Sequence, residues 1–235
     1  MSGPVALDLF SCGAGAGFGY RLAGFRRVIC VDIADHEASV TAAGCEFHLM
    51  DWREGLERFG PVADLIHASP PCQHDSIMTQ CRPGVRDAYP DLTVPVIKAL
   101  VATGKPWIVE QPESSAARAK MGRPVMLCGT AYGLTVSIGA STWELRRHRL
   151  FASNLPLTGS TCRHRLRTFP LYGHGYPGNR RQEFQGLDFA SAARQVMGIS
   201  WTKDRRELTE ALPPIYTADL GSQALAIAAG QDRAA

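Results

Sequence analysis

The 235-residue chain has no apolar run near the roughly 18 residues that a membrane-spanning helix requires. Its start, Met1-Ser2-Gly3-Pro4, has neither the charged nor the apolar segment of a signal peptide. Paired cysteine spacing is also missing. Seven scattered cysteines, an odd number without an export signal, argue against a disulfide framework. Charge of one sign is scarce too: a net +3 with pI near 8.5 is too mild to identify a nucleic-acid binder by bulk electrostatics. There is no internal repeat. A soluble, cytoplasmic monomer without membrane contact is expected.

What is present suits one core: 45% hydrophobic and 20% charged residues allow a single domain with an appendage. Val5 to Phe10 reads as a buried strand, followed by a glycine-rich turn and a helix opening at Phe18 to Ala23. Arg27 to Val31 reads as a second strand ending at Asp32, with a helix over His36 to Ala43. Apolar runs at Ala63 to Ala68, Trp107 to Val109 and Pro124 to Leu127, with helical Val94 to Val101 between the first two, continue the alternation. The fold class is therefore α/β on a largely parallel sheet. Residues 153–190, rich in Pro, Gly, Arg and His, break the rhythm and read as a short inserted recognition region. This divides the chain into 1–152, 153–190 and 191–235, the last being helices that return to the main domain, with Tyr216 to Ala229 as the closing helix. Arginines cluster at Arg146, Arg147 and Arg149, at Arg163, Arg165 and Arg167, and at Arg180 and Arg181, as either solvated surface or contacts for an anionic partner.

Two stretches carry candidate chemistry. In Asp8-Leu9-Phe10-Ser11-Cys12-Gly13-Ala14-Gly15, small residues follow a strand where a backbone can approach a nucleotide-like ligand. The turn alone is compatible with adenosylmethionine, a dinucleotide or plain turn geometry. Asp32 is placed to accept from ribose hydroxyls or to cap a helix, and Asp51 to meet an adenine amino group or to sit in an exposed turn. In Ser69-Pro70-Pro71-Cys72-Gln73, two prolines fix the backbone before a cysteine at a strand end. A lone thiol is ordinarily buried and inert. The strand Trp107 to Val109, however, runs into Glu110 on the same sheet edge, and a thiol sharing a cleft with an acid suits a nucleophile and a proton donor.

Asp8-Leu9-Phe10-Ser11, Pro70-Pro71-Cys72-Gln73, Glu110-Gln111-Pro112, Arg147-His148-Arg149-Leu150-Phe151 and Leu212-Pro213-Pro214-Ile215-Tyr216 stand in the motif order of DNA cytosine-5 methyltransferases. The chain resembles that family over nearly its whole length apart from 153–190. Leu127-Cys128-Gly129-Thr130 and Ala193 to Gly198 resemble its compact phage-type members. The resemblance implies a Rossmann-like S-adenosylmethionine-dependent methyltransferase fold with a small inserted recognition region. It also implies double-stranded DNA as partner, a bacterial or phage-infected cell, and a restriction-modification context. The target cytosine would be flipped from the duplex, Cys72 would attack C6, Glu110 would hold N3 and the exocyclic amine, and Arg147 and Arg149 would contact the base and adjacent phosphates. S-adenosylmethionine is implied against Asp8, Phe10, Ser11, Gly13, Gly15, Asp32, Ile33, Asp51, Pro71, Gly221 and Ser222. DNA is implied against Gln73, His74, Arg146, Arg163, Arg165, Arg180 and Arg181.

Several positions depart from the family: Cys12 replaces a glycine, Gln111 an asparagine, Asp75 an aromatic residue, Leu145 a glutamine and Ser222 an asparagine. Two other functions fit the same features, an RNA (tRNA) cytosine-5 methyltransferase and a catalytically silent DNA-binding relative. Cys162, His164 and His174, with Cys128 as a fourth, are metal-ligand types, but their spacing fits no strong zinc signature. No metal is expected, and the histidines are expected to face DNA.

Overall fold

The computed structural model describes residues 3–72, 74, 90–171 and 187–232. Strand β1 (Val5–Leu9) leads into α1 (Gly15–Ala23), followed by β2 (Arg27–Asp32), α2 (Glu37–Ala42), β3 (Glu46–Leu49), α3 (Trp52–Phe59) and β4 (Leu65–Ala68). Next come α4 (Thr93–Ala102), β5 (Trp107–Pro112), α5 (Ser115–Met121), β6 (Val125–Leu127), β7 (Thr135–Ile138), β8 (Ser141–Glu144) and β9 (Arg149–Ser153). After β10 (Arg167–Thr168), the helices α6 (Phe189–Met197), α7 (Arg205–Glu210) and α8 (Pro214–Asp232) complete the described chain.

Seven strands form one sheet in the order β3-β2-β1-β4-β5-β9-β6. β1 to β5 pair in parallel, and β9 runs antiparallel between β5 and β6. Strict alternation along the strands explains burial on both faces. Ala6, Val28, Cys30, Leu65, Ile108 and Phe151 point to the α1 and α8 side. Leu7, Leu9, Ile29, Val31, Ile66 and Val109 point to the α3, α4 and α5 side. Each large apolar side chain so buried contributes about 1.5–3 kcal/mol, so this sheet holds the core.

A smaller sheet, β10-β8-β7, packs with α6 around Trp143, Phe169, Phe189, Val196 and Met197. The structured appendage therefore draws on residues before 153: β7 and β8 lie inside the stretch that the sequence assigns to the main domain. A boundary at 153 misses them because their apolar positions are too few to show a period. Residues 172–186, with Arg180, Arg181 and His174, lie outside the described residues, as do Gln73 and Asp75. No helix among the described residues is long and apolar enough to cross a membrane.

Candidate active site

The chain order reverses at β1, with β2 and β3 on one side and β4 and β5 on the other. In open α/β sheets ligands bind outside the carboxyl ends of strands at such a point. Register makes the placement specific. Leu9 aligns with Val31 and Ala68, and Ala68 with Val109, so Phe10, Asp32, Ser69 and Glu110, one residue further along, stand level across four adjacent strands.

The loop after β1 is held in unusual backbone. Phe10, Cys12 and Ala14 have φ of 61°, 44° and 61°, a region costing roughly 1–3 kcal/mol for non-glycine residues and enriched at ligand sites. The loop is laced to β2: Ser11 N–H donates to Val31 O (3.1 Å) and Cys12 N–H to Asp32 Oδ2 (2.9 Å). The buried Ser11 hydroxyl has no hydrogen-bond partner. Cys12 takes up the left-handed backbone that the family's glycine would adopt freely, and burial pushes its thiol up to about 12, so it stays protonated. Gly13 O accepts from Trp201 Nε1 (2.8 Å), and Gly15 lies so close to Leu212 O that a Cβ would collide with it.

On the other side of the switch point, Gln111, fully buried, donates from Nε2 to Pro70 O (2.8 Å) and pins the turn carrying Pro71 and Cys72. The family's shorter asparagine would have to do this from a different backbone position. Gln111→Leu should leave the carbonyl without its donor, costing about 1–3 kcal/mol in urea unfolding and displacing the turn that carries Cys72.

Burial raises the Cys72 thiol, the Glu110 carboxylate raises it further, and Arg149 and Arg147 oppose both. Burial likewise raises the Glu110 carboxyl against the pull of Arg149, Arg147 and Ser69. Arg149 Nε lies 2.9 Å from Glu110 Oε1. The two meet as opposite charges rather than along a donor N–H, and Oε1, although buried, has no hydrogen-bond partner. A buried acid with a raised pKa and its paired arginine thus sit among the charges that bear on the candidate nucleophile. His67 and Ser69 were not legible as site residues. Tyr20 hydroxyl lies 2.8 Å from His67 Nδ1, and His67 Nε2 lies 2.9 Å from Ser69 Oγ. Burial holds His67 down to about 3, hence neutral, so an uncharged polar line reaches Glu110 from inside the sheet. A histidine within the apolar run Leu65-Ile66-His67-Ala68 was the available signal.

Among solved structures with the same arrangement, the Entamoeba histolytica methyltransferase EhMeth matches with a TM-score of 0.61 at 11% identity, over 97% of this chain and 99% of that one. A Spodoptera frugiperda DNMT2 variant matches with a TM-score of 0.56 at 11% identity, over 94% of this chain and 99% of that one. The fold is that of a Rossmann-like S-adenosylmethionine-dependent methyltransferase. No protein-family model and no curated protein matches the sequence.

Several expected residues occupy other places in this methyltransferase fold. Asp8 does not reach the sheet edge: it is fully buried beneath the loop, 4.0 Å from Cys30 Sγ, with its carboxyl pushed up to about 8 by burial. Asp51 caps α3 by accepting from Arg53 N–H (2.8 Å). Ile33 is 75% exposed. Gly221 faces α1, where a Cβ would meet Ala23 and the Tyr20 ring, and Ser222 donates to Ala218 O within its own helix. Arg147 spends its guanidinium on the carbonyls of Leu171 (3.2 Å), Thr209 (2.7 Å) and Ala211. Arg146 pairs with Glu144 (3.0 Å). Arg163 and Arg165 project into solvent, and His74 sits 3.4 Å from Lys120 Nζ. One further cluster forms against the spacing along the chain: ligand-type atoms of Cys128, His148, Cys162 and His164 all lie within 4.8 Å of one another. His148, hidden inside the arginine motif, completes it.

Proposed function

We propose that this protein methylates C5 of a cytosine flipped out of double-stranded DNA, through a covalent adduct between Cys72 and C6. The observation that carries this reading is the buried Glu110 carboxyl paired with Arg149, both among the charges that bear on Cys72. Cytosine C5 has no acidic proton, so it becomes a carbon nucleophile only after a thiolate adds to C6. Cys72 forms that bond. Glu110, whose carboxyl burial raises, donates to N3 in its acid form and takes up the charge that develops on the ring. Arg149 suits the carbonyl oxygen of the base. Loss of the C5 proton and departure of Cys72 then restore aromaticity.

The residues beside the switch point fit S-adenosylmethionine. A buried Ser11 hydroxyl lacks a partner, Asp32 offers a carboxylate at the end of β2, and Phe10 presents a ring beside Trp52. Bound there, the cofactor would supply an electrophilic methyl group on a sulfonium. Ser11, Phe10 and Asp32 would hold it, with Gly13, Gly15 and Pro71 shaping the wall.

Incubation of the purified chain with tritiated S-adenosylmethionine and either duplex DNA or tRNA tests the reading. Label is expected in DNA, at C5 of cytosine in bisulfite sequencing. Label in tRNA alone would overturn DNA as the substrate, and label at another base atom would overturn the chemistry.

A further inference from the structure

The cluster at the end of β6 lies apart from the thiol and acid of the candidate active site. Cys128 follows β6, His148 precedes β9, and Cys162 and His164 come from the irregular segment between β9 and β10. Cys128 Sγ lies 3.3 Å from His164 Nε2, Cys162 Sγ 3.4 Å from His148 Nε2, and the two Nε2 atoms 3.1 Å apart. Tetrahedral zinc bonded to sulfur at about 2.3 Å and to nitrogen at about 2.05 Å requires sulfur–nitrogen edges of about 3.6 Å and a nitrogen–nitrogen edge of about 3.4 Å. These three edges fall within about 0.3 Å of those values, and all four donor atoms lie within 4.8 Å of one another.

The surroundings supply what ligands need. His148 Nδ1 lies 3.0 Å from Glu113 Oε2, and Glu113 is held in turn by Arg118 (2.7 Å). An Nδ1–H donated to that carboxylate turns the Nε2 lone pair toward the centre, the usual orientation of a metal-bound histidine. Thr130 Oγ1 is 3.1 Å from Cys128 Sγ and can donate to a thiolate. Backbone contacts hold the loop in place: Ser160 N–H donates to Met126 O (2.9 Å), Cys128 N–H to Ser160 Oγ (2.9 Å) and Arg163 N–H to Thr130 Oγ1 (3.0 Å).

We infer that Cys128, His148, Cys162 and His164 form a structural zinc site that clamps the 154–166 segment to the arginine motif. Two thiolates and two neutral imidazoles balance a divalent ion, and a closed tetrahedral set of sulfur and nitrogen selects zinc over hard cations. This replaces the expectation of no metal. That expectation rested on spacing, and the ligands come from three separate stretches of chain. The site holds no catalytic residue, although His148 lies between Arg147 and Arg149, so the ion would fix the strand start from which Arg149 reaches Glu110.

The test uses the full chain, purified without a histidine tag or chelator. Mass spectrometry of the elements should find one zinc per folded chain. Replacement by cobalt should give the ligand-field and thiolate charge-transfer bands of a tetrahedral two-sulfur site. Cys162→Ser and His164→Ala, checked for folding by circular dichroism, should lose stoichiometric zinc, and Glu113→Gln should bind it about 10–100-fold more weakly in competition with a colorimetric chelator. Folded wild-type chain that takes up no zinc or cobalt would overturn the proposal. So would zinc retained undiminished in both ligand variants, or a Cys128–Cys162 disulfide in the native protein. None of these readouts depends on methyl transfer.

Discussion

Cys72→Ser should abolish the covalent complex with duplex DNA carrying 5-fluorocytosine and lower methyl transfer by on the order of 10⁴-fold or more, the scale seen when a covalent nucleophile is removed. Fluorine at C5 cannot leave as a proton would, so the wild-type adduct persists on a denaturing gel, whereas a serine hydroxyl does not add to C6. Undiminished transfer by Cys72→Ser would refute the mechanism. The electrostatics of the site give the pH dependence. Burial and Glu110 hold the thiol above its ordinary value, so the thiolate fraction is small at neutral pH and adduct formation should quicken as pH rises. Burial raises Glu110 as well, which keeps its acid form present further up the pH scale than an ordinary glutamate would allow. Glu110→Gln separates the two effects. Removing the carboxylate removes a cause of the raised thiol, so iodoacetamide should alkylate Cys72 faster at a given pH, while methyl transfer falls on the order of 10²–10⁴-fold for want of the proton donor. Alkylation unchanged by Glu110→Gln would mean that the two groups do not share a field.

Legibility in the sequence followed burial. β1, β2, β4 and β5 were visible because both faces of a central parallel strand are apolar, and their ends delivered Asp32, Cys72 and Glu110 to one edge as the alternation of elements implied. β3, Glu46–Leu49, was not visible: it is an edge strand whose residues are half-buried or exposed. β9 was hidden in the arginine motif, since its period begins only at Leu150. Residue types at the site were legible, but their employment was not. Asp8 and Arg147 have the identities that the family's order calls for, yet one lies under the loop and the other holds backbone carbonyls. Gln111 looked like a loss of fit and instead ties down the turn of the nucleophile. Three of the four cluster residues, Cys128, Cys162 and His164, were legible as ligand types, but their spacing matched no metal signature and His148 was not among them, because it joins them only through the pairing of β6 with β9.

Arg147→Met should destabilise the fold by about 3 kcal/mol, a large share of the roughly 5–15 kcal/mol that a domain has, and lower the melting temperature by roughly 10 °C in a chain of this size. Two effects oppose each other. Burial pushes the guanidinium down to about 9, which marks it as costly to hold in the charged form, and methionine removes that cost. Against this, the carbonyls of Leu171, Thr209 and Ala211 lose their donors together. A buried carbonyl left unpaired costs about 1–3 kcal/mol, and these three lie in two segments, Leu171 before residue 172 and Thr209 with Ala211 at the end of α7. The backbone position does not change the balance, since φ of 37° at residue 147 is strained for methionine as it is for arginine. The lost donors therefore outweigh the recovered desolvation. Arg147→Lys keeps the charge but not a planar fork able to serve several acceptors, so it should recover less than half of the lost stability. If Arg147 acted only on the substrate base, both variants would melt with the wild type and only their transfer rates would fall. Calorimetry beside the DNA assay separates the two roles, and the three carbonyl contacts place this arginine with the architecture.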